Sequence, residues 1–175
     1  MSGFLVDISD LAGRPGASRA IALGAQLRGL EGPLGGVRET DPVDVDLVAE
    51  SLTDGIEVTG RIAGRFRLTC SRCLADFTGG FEYKVDEVFY FDDGEEKGGY
   101  EVQAPVIDLE PMIRDAIGLE MPSQPLHDEA CRGLCTVCGS DLNVEDCGHR
   151  DEMTDLRWEP LKEALGVDRI ETGEA

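Results

Sequence analysis

The stretch Gly55–Cys73, GIEVTGRIAGRFRLTCSRC, carries an alternating apolar pattern directly into a pair of cysteines. A period of two predicts a β-strand with one buried face and one wet face. The large apolar residues all fall at even positions and are the expected inward side chains: Ile56, Val58, Ile62, Phe66 and Leu68. The stretch therefore predicts a long half-buried strand that ends in a cysteine turn.

Segments on both sides of this strand show similar alternation, which predicts further strands. They are FLVDISDL (4–11), RAIALGAQL (19–27), VDVDLVAESL (43–52) and FTGGFEYKVDEVFYF (77–91). The glycine-rich run GLEGPLGGVRETDP (29–42) predicts a long, mobile connection. Short strands in succession indicate an antiparallel β-meander sheet.

Helical spacing follows the strands. Leu109, Met112, Ile113 and Ile117 recur at helical intervals, so residues 105–122 are expected to form a helix with Asp108 as its N-cap. TDLRWEPLKEALG (154–166) predicts a second short helix that ends at Gly166, with Trp158 as a packing anchor.

These patterns predict an α+β fold, in which an antiparallel β-meander sheet carries a packed helix and a C-terminal zinc-knuckle segment. A single domain is expected over residues 1–165. Its parts are a mostly β region (1–92), the helix (105–122) and a cysteine-rich metal-binding segment (127–150), and a flexible tail (166–175) follows the domain.

The formal charge of −20 is concentrated in the second half of the chain. Residues 1–80 contribute −3 (8 basic, 11 acidic), so the remaining residues contribute −17. Such a field repels phosphate backbones at long range, and any contact with RNA needs a local basic patch. The sequence shows neither a secretory signal nor an apolar run long enough to span a membrane, so a cytoplasmic protein with no membrane partner is expected.

The six cysteines point to metal binding. Four of them form two pairs with the Cys-x2-Cys spacing, Cys70/Cys73 and Cys135/Cys138. This spacing supplies two zinc ligands from one turn. Four further candidate ligands complete the set: His127, Cys131, Cys147 and His149. Redox and disulfide roles are weaker alternatives, because the first pair lies between strands and the cytoplasm keeps thiols reduced. A catalytic zinc site would need an acid–base constellation, and none is visible in the sequence.

The ligands can be grouped in two ways. Because a Cys-x2-Cys turn supplies half a tetrahedron, each turn needs two more ligands. Cys147 and His149 can close the second turn locally, which leaves His127 and Cys131 for the first. In the competing arrangement, both turns surround one zinc, and Cys131 and Cys147 remain free thiols.

A basic cluster lies on the strand that leads into the first cysteine turn. Arg61, Arg65 and Arg67 share odd positions and therefore one face, and Arg72 lies on the adjoining turn. Arginine forks match phosphate oxygens, which makes these four residues candidates for contact with RNA. Alternatively, they belong to a solvated strand face and pair with neighbouring carboxylates.

Three motifs carry a resemblance to a known family: LTCSRCLADF (68–77), GLEMPSQPLHDEAC (118–131) and CRGLCTVCGSDLN followed by CGH (131–149). In this order they resemble the YceD-like family, named for large ribosomal RNA subunit accumulation, from about Val6 to Leu165. Many members have cysteines at the positions of His127 and His149. Some members lack the second cysteine turn, which implies two separable metal sites.

The resemblance implies a non-enzymatic factor that supports synthesis, processing or stability of 23S ribosomal RNA. Its implied partner is large-subunit ribosomal RNA or a pre-ribosomal particle, and no small-molecule substrate is implied. The alternative is an acidic, zinc-stabilised interaction module or chaperone for a basic ribosomal protein. A zinc-dependent or redox enzyme is the third hypothesis, and a reactive thiol of depressed pKa would favour it.

Overall fold

A computed structural model describes residues 3–91, 98–103, 105–149 and 164 of the chain. The chain divides into two compact units, Met1–Ala130 and Cys131–Ala175. Within its described residues, the first unit contains nine strands and one α-helix. The strands are β1 Leu5–Asp7, β2 Ser18–Gln26, β3 Glu31–Gly32, β4 Gly35–Val37, β5 Pro42–Ser51, β6 Gly55–Thr69, β7 Asp76–Tyr90, β8 Tyr100–Glu101 and β9 Val106–Asp108; the helix, α1, is Glu110–Glu120.

Strand β6 organises the main sheet. It pairs antiparallel with β7 along all 15 of its residues. Its opposite edge is shared, because β5 pairs with the first part (Ile56–Ala63) and β4 pairs with the last part (Phe66–Leu68). Strand β2 pairs with β5, β3 pairs with β4, and β8 pairs with β7. Together with β6, these strands form one seven-stranded sheet. The β5–β6–β7 meander confirms the antiparallel strands expected from the sequence.

The inward face of β6 is the one that the alternation predicts. Ile56, Val58, Ile62, Phe66 and Leu68 are all buried, each at most 5% exposed. They join a core cluster with residues of β5, β7 and α1. Burial of each large apolar side chain stabilises the fold by about 1.5–3 kcal/mol before conformational entropy is counted.

The segment between β2 and β5 differs from the expectation. Residues 29–42 were predicted to be a mobile connection, but they contain the β3–β4 hairpin, and β4 joins the edge of β6. Gly35 shows why the glycine-rich composition of this segment wrongly predicted a mobile connection. Its φ is +149°, and a Cβ at this position would lie 2.3 Å from the carbonyl oxygen of Arg67. Glycine thus serves close strand packing here rather than flexibility.

Two pairings lie outside the predicted meander. Strand β8 pairs with β7 in parallel, matching Phe89 with Tyr100 and Tyr90 with Glu101. Strands β1 and β9 form a separate two-stranded antiparallel sheet. The prediction of a wholly antiparallel sheet is therefore wrong at β8, because a two-residue strand is too short to leave a periodic signal.

Helix α1 is shorter than the predicted 105–122. Its N-cap is Leu109, and Asp108 precedes the cap as the last residue of β9. Asp108 still supplies a hydrogen-bond acceptor for a backbone N–H at the start of the helix, since its Oδ1 accepts a hydrogen bond from the Glu110 N–H at 3.0 Å. The buried residues Met112, Ile113 and Ile117 are those that the helical spacing predicts. The helix packs against β7, as expected of a packed helix.

The predicted C-terminal helix (154–166), Trp158 and the tail (166–175) lie outside the described residues, apart from the helical Ala164. A single domain over residues 1–165 stays a prediction.

Candidate metal centres

The first cysteine turn begins where β6 ends. The Cys70 N–H donates to the Ala75 carbonyl oxygen at 2.9 Å, and the Leu74 N–H donates to the Cys70 carbonyl oxygen at 3.0 Å. These two bonds fold residues 70–75 into a tight loop. Leu74 has φ +60° and is the only non-glycine residue with positive φ in the described part of the chain.

The second cysteine turn repeats this geometry in the other unit. The Cys135 N–H donates to the Ser140 carbonyl oxygen at 2.8 Å, and the Gly139 N–H donates to the Cys135 carbonyl oxygen at 2.9 Å. Gly139 has φ +76°, the equivalent of Leu74. The Val137 N–H also lies 3.4 Å from Cys135 Sγ, so a backbone amide supports the sulfur. The two turns are thus the same structural motif.

His127 joins the first turn. The Ser71 N–H donates to the Pro125 carbonyl oxygen at 2.8 Å, which holds the segment before His127 against the turn. His127 Nδ1 then lies 3.4 Å from Cys73 Sγ. The ligand atoms of Cys70, Cys73 and His127 lie within 4.8 Å of one another, and both cysteines are buried.

Cys131, predicted as the fourth ligand of this group, is the first residue of the second unit. It is 3% exposed, and the Asn143 Nδ2 lies 3.5 Å from its Sγ. Asn143 Oδ1 accepts a bond from the Arg132 N–H at 2.7 Å, which fixes the amide beside the sulfur. Spacing rules for zinc ligands do not point to Asn143, and sequence reasoning missed it.

The second group lies entirely within residues 135–149. Ligand atoms of Cys135, Cys138, Cys147 and His149 lie within 4.8 Å of one another. His149 Nδ1 is 3.4 Å from Cys147 Sγ, and Cys138 Sγ is 3.3 Å from the Ser140 hydroxyl oxygen. The structure thus brings together four of the eight ligands predicted from sequence in one short segment.

In each cysteine turn, hydrogen bonds favour the thiolate form of one cysteine. The hydrogen bond from His127 lowers the pKa of Cys70 from 9.0 to about 5. Hydrogen bonds from the side chain and backbone of Ser140 lower the pKa of Cys138 to about 6. The backbone bond from His149 lowers the pKa of Cys147, but its sulfur neighbours and burial outweigh that bond and raise it. Thiolate is the form that binds metal.

The donor set and its dimensions fit zinc. With Zn–S near 2.3 Å and Zn–N near 2.0–2.1 Å, a tetrahedral site separates sulfur from nitrogen by about 3.5 Å. The Cys73–His127 and Cys147–His149 separations are both 3.4 Å. Three sulfurs and one nitrogen in the second group match a closed structural zinc site, which leaves no open position for a substrate.

Three arginines of the predicted basic cluster, Arg61, Arg65 and Arg67, are exposed on the wet face of β6, and Arg72 is exposed in the turn that follows; most of them have protein partners. Arg61 lies 3.6 Å from Asp46 and 3.4 Å from Glu82, and Arg67 lies 2.8 Å from Asp76. Arg72 donates to the Glu129 carbonyl oxygen at 3.2 Å. Arg65 has no ion-pair partner among the described residues.

A family comparison matches the chain over residues 58–164 to the model described as large ribosomal RNA subunit accumulation protein YceD. The chain belongs to the YceD family. The matched region includes most of β6, all of α1 and both cysteine turns. By its name, the family is one of accumulation factors for large-subunit ribosomal RNA.

Relatives of this YceD-family chain occur in bacteria and in a plant. An uncharacterized protein of Mycobacterium tuberculosis is 38% identical over 174 residues, which cover 94% of this chain and 83% of the relative. The uncharacterized protein YlbN of Bacillus subtilis is 29% identical over 136 residues, 75% of this chain and 79% of that protein. Large ribosomal RNA subunit accumulation protein YCED homolog 1, chloroplastic, of Arabidopsis thaliana is 35% identical over 69 residues, 39% of this chain and 22% of the relative.

No solved structure matched the YceD-family chain. Within its described residues, no helix has the length and apolar character that crossing a membrane requires.

Proposed function

We propose that this chain is a non-enzymatic cytoplasmic factor that supports synthesis, processing or stability of 23S ribosomal RNA during large-subunit biogenesis. The observation that carries the proposal is the match to the YceD model over residues 58–164. The closed donor set of the second cysteine group supports a structural rather than a catalytic use of metal.

Two structural zinc ions belong to this proposal. Cys70, Cys73, His127 and Cys131 hold one ion, and Cys135, Cys138, Cys147 and His149 hold the other. The burial of Cys131, four residues after His127, supports its place in the first set. Zinc then stabilises two turns that would otherwise leave clustered thiolates in mutual repulsion.

The proposed contact with RNA is the basic cluster of Arg61, Arg65, Arg67 and Arg72. Arg65 is its strongest member, because it is exposed and has no ion-pair partner in the described structure. Exposed pairs such as Arg67–Asp76 contribute little to stability, so a phosphate can replace the carboxylate at little cost.

Charge reversal tests this contact. We expect Arg65→Glu/Arg67→Glu to weaken co-sedimentation with large-subunit particles by about tenfold or more, since two phosphate contacts are lost and two repulsions are added. Arg14→Glu/Arg28→Glu is the matched control, because it changes the net charge equally at exposed arginines outside β6. Equal co-sedimentation of both folded variants would exclude the β6 arginines as the contact.

A second candidate function is a chaperone for a basic ribosomal protein, favoured by the formal charge of −20. The two functions differ in what the purified protein binds. Native purification followed by identification of co-purifying molecules distinguishes them: ribosomal RNA supports the first function, and a single basic ribosomal protein without RNA supports the second.

A further inference from the structure

We propose that the outer edge of strand β2 binds an extended, positively charged peptide segment, which adds to the sheet as an extra strand. This site lies on the opposite side of β5 from β6 and includes no residue of either cysteine group. The proposal does not depend on the ribosomal role.

Strand β2 is an open edge. It pairs along all nine residues with β5, and no other strand in the described part of the chain pairs with it. Its register with β5 runs from Ser18↔Glu50 to Gln26↔Pro42 without a bulge. An edge of this length exposes a row of backbone donors and acceptors that can template another strand.

The hydrogen-bond pattern shows which residues carry these free groups. The Ser51 N–H donates to the Ala17 carbonyl oxygen at 2.8 Å, immediately before β2 begins. Bonded pairs in an antiparallel ladder recur at every second residue, so the odd-numbered residues of β2 bond to β5. The even-numbered residues direct their N–H and C=O groups outward; they are Ser18, Ala20, Ala22, Gly24 and Gln26.

Edge strands are commonly protected by charged side chains, proline or a bulge. Between Ala20 and Gln26, β2 contains none of these. Four of the five even-numbered residues have small side chains, Gln26 being the exception, and all five are exposed. At the even-numbered residues from Ser18 to Gly24, an incoming strand therefore meets neither a charged nor a bulky side chain.

The neighbouring strand β5 determines the chemistry of the occupant. Its exposed carboxylates Asp44, Asp46 and Glu50 lie opposite Gly24, Ala22 and Ser18. A Cβ on Gly24 would lie 2.9 Å from Asp44 Oδ1, so this carboxylate already extends over β2. Lysine or arginine side chains of an added strand can pass over the small residues to reach these carboxylates.

The exposed arginines of β6 lie on this same face of the sheet and are the competing cations. Asp46 lies 3.6 Å from Arg61 in an exposed pair, while Asp44 and Glu50 have no ion-pair partner among the described residues. The formal charge of −20 repels a second copy of the chain, and the exposed carboxylates of β5 repel a nucleic-acid strand at this edge. The occupant that fits is a basic protein segment in extended conformation.

The experiment uses the zinc-loaded chain of 175 residues and a labelled nine-residue peptide of alternating lysine and valine. A peptide with glutamate in place of lysine is the charge control. Ala22→Pro removes one outward N–H that β5 does not use, and proline is tolerated on such an edge. Ala22→Thr is the matched variant that keeps the N–H.

We expect the lysine peptide to bind and the glutamate peptide to bind at least about tenfold more weakly. Ala22→Pro should weaken lysine-peptide binding by about tenfold, while Ala22→Thr should stay within about twofold of the parent. Asp44→Asn/Glu50→Gln should weaken binding and reduce its salt dependence, which tests the site even if Ala22→Pro does not fold. Amide shifts in the NMR spectrum should map to β2.

Equal binding of the lysine peptide to the parent and to folded Ala22→Pro would overturn the proposal. So would equal binding of the two peptides, or displacement of the lysine peptide by a single-stranded RNA at the same amides. A dimer that dissociates in Ala22→Pro would also overturn it, because the occupant would then be a second copy.

Discussion

Leu74 and Gly139 occupy the same position in two copies of one turn. Both have positive φ, +60° and +76°, yet only glycine adopts this region without steric cost. Leu74 is also 59% exposed, so packing of its side chain compensates little of the strain. The first cysteine turn is therefore held in its conformation by its surroundings rather than by its own sequence.

Replacing Leu74 with glycine should relieve this strain. We expect Leu74→Gly to raise the free energy of unfolding. Relief of the backbone strain contributes about 1 kcal/mol, and the conformational entropy that glycine adds to the unfolded chain reduces this gain. Urea denaturation of the zinc-loaded protein measures the change. Leu74→Ala is the control, since it removes the same exposed side chain but keeps the Cβ; if it stabilises equally, backbone strain is not the cause.

At this scale the sequence pointed to cysteine and histidine side chains that the structure brings together, but not to the residues that support them. Cys-x2-Cys spacing identified Cys135 and Cys138, and the structure surrounds them with Cys147 and His149. Asn143, which contacts Cys131 Sγ, carries no such signal because an amide near sulfur follows no fixed spacing. The contribution of Ser140 to the lowered pKa of Cys138 likewise depends on the closed turn.

Among the elements, the long strands were predictable and the short ones were not. In β6 and β7, 15 residues of alternation give a strong signal, which the pairing confirms. Strands β3 and β4 have only two and three residues, rich in glycine, and they form because β6 offers them an edge. Their stability comes from tertiary pairing, which local composition does not report.

Helix α1 offers a direct test of the core at the scale of an element. Ile117 is fully buried, whereas Leu119, two residues later, is 86% exposed. We expect Ile117→Ala to lower the free energy of unfolding by about 2–5 kcal/mol, because the cavity left in the core adds to the lost burial. Chemical denaturation monitored by circular dichroism measures this loss.

Leu119→Ala is the matched control for the helix, with an expected effect within about 0.5 kcal/mol. Equal losses for the two variants would mean that the helix packs through a different face from the one described.

For the whole molecule, the decisive quantity is the number of metal ions. The second group supplies four ligands from residues 135–149 alone, which favours the two-site arrangement over one zinc shared by both turns. The tight cluster of thiolates and imidazoles in each proposed set needs a cation for stability.

We expect the tag-free protein to hold two zinc ions and Cys135→Ser/Cys138→Ser to retain one, since the proposed first set is intact. Elemental analysis with a thiol titration measures both. In the shared-site arrangement the same variant loses all its zinc, and the parent holds one zinc beside two titratable thiols.

An order of folding follows from the different separations of the ligands along the chain in the two cysteine groups. His127 meets Cys73 across 54 positions of chain, whereas the second group closes within residues 135–149. The free-energy cost of closing the loop is therefore about 1 kcal/mol higher for the first group. As the chain leaves the ribosome, the sheet strands emerge before His127 does, so metal can complete the first group only after the sheet is available. The second group can close by itself, because all four of its ligands lie within one short segment.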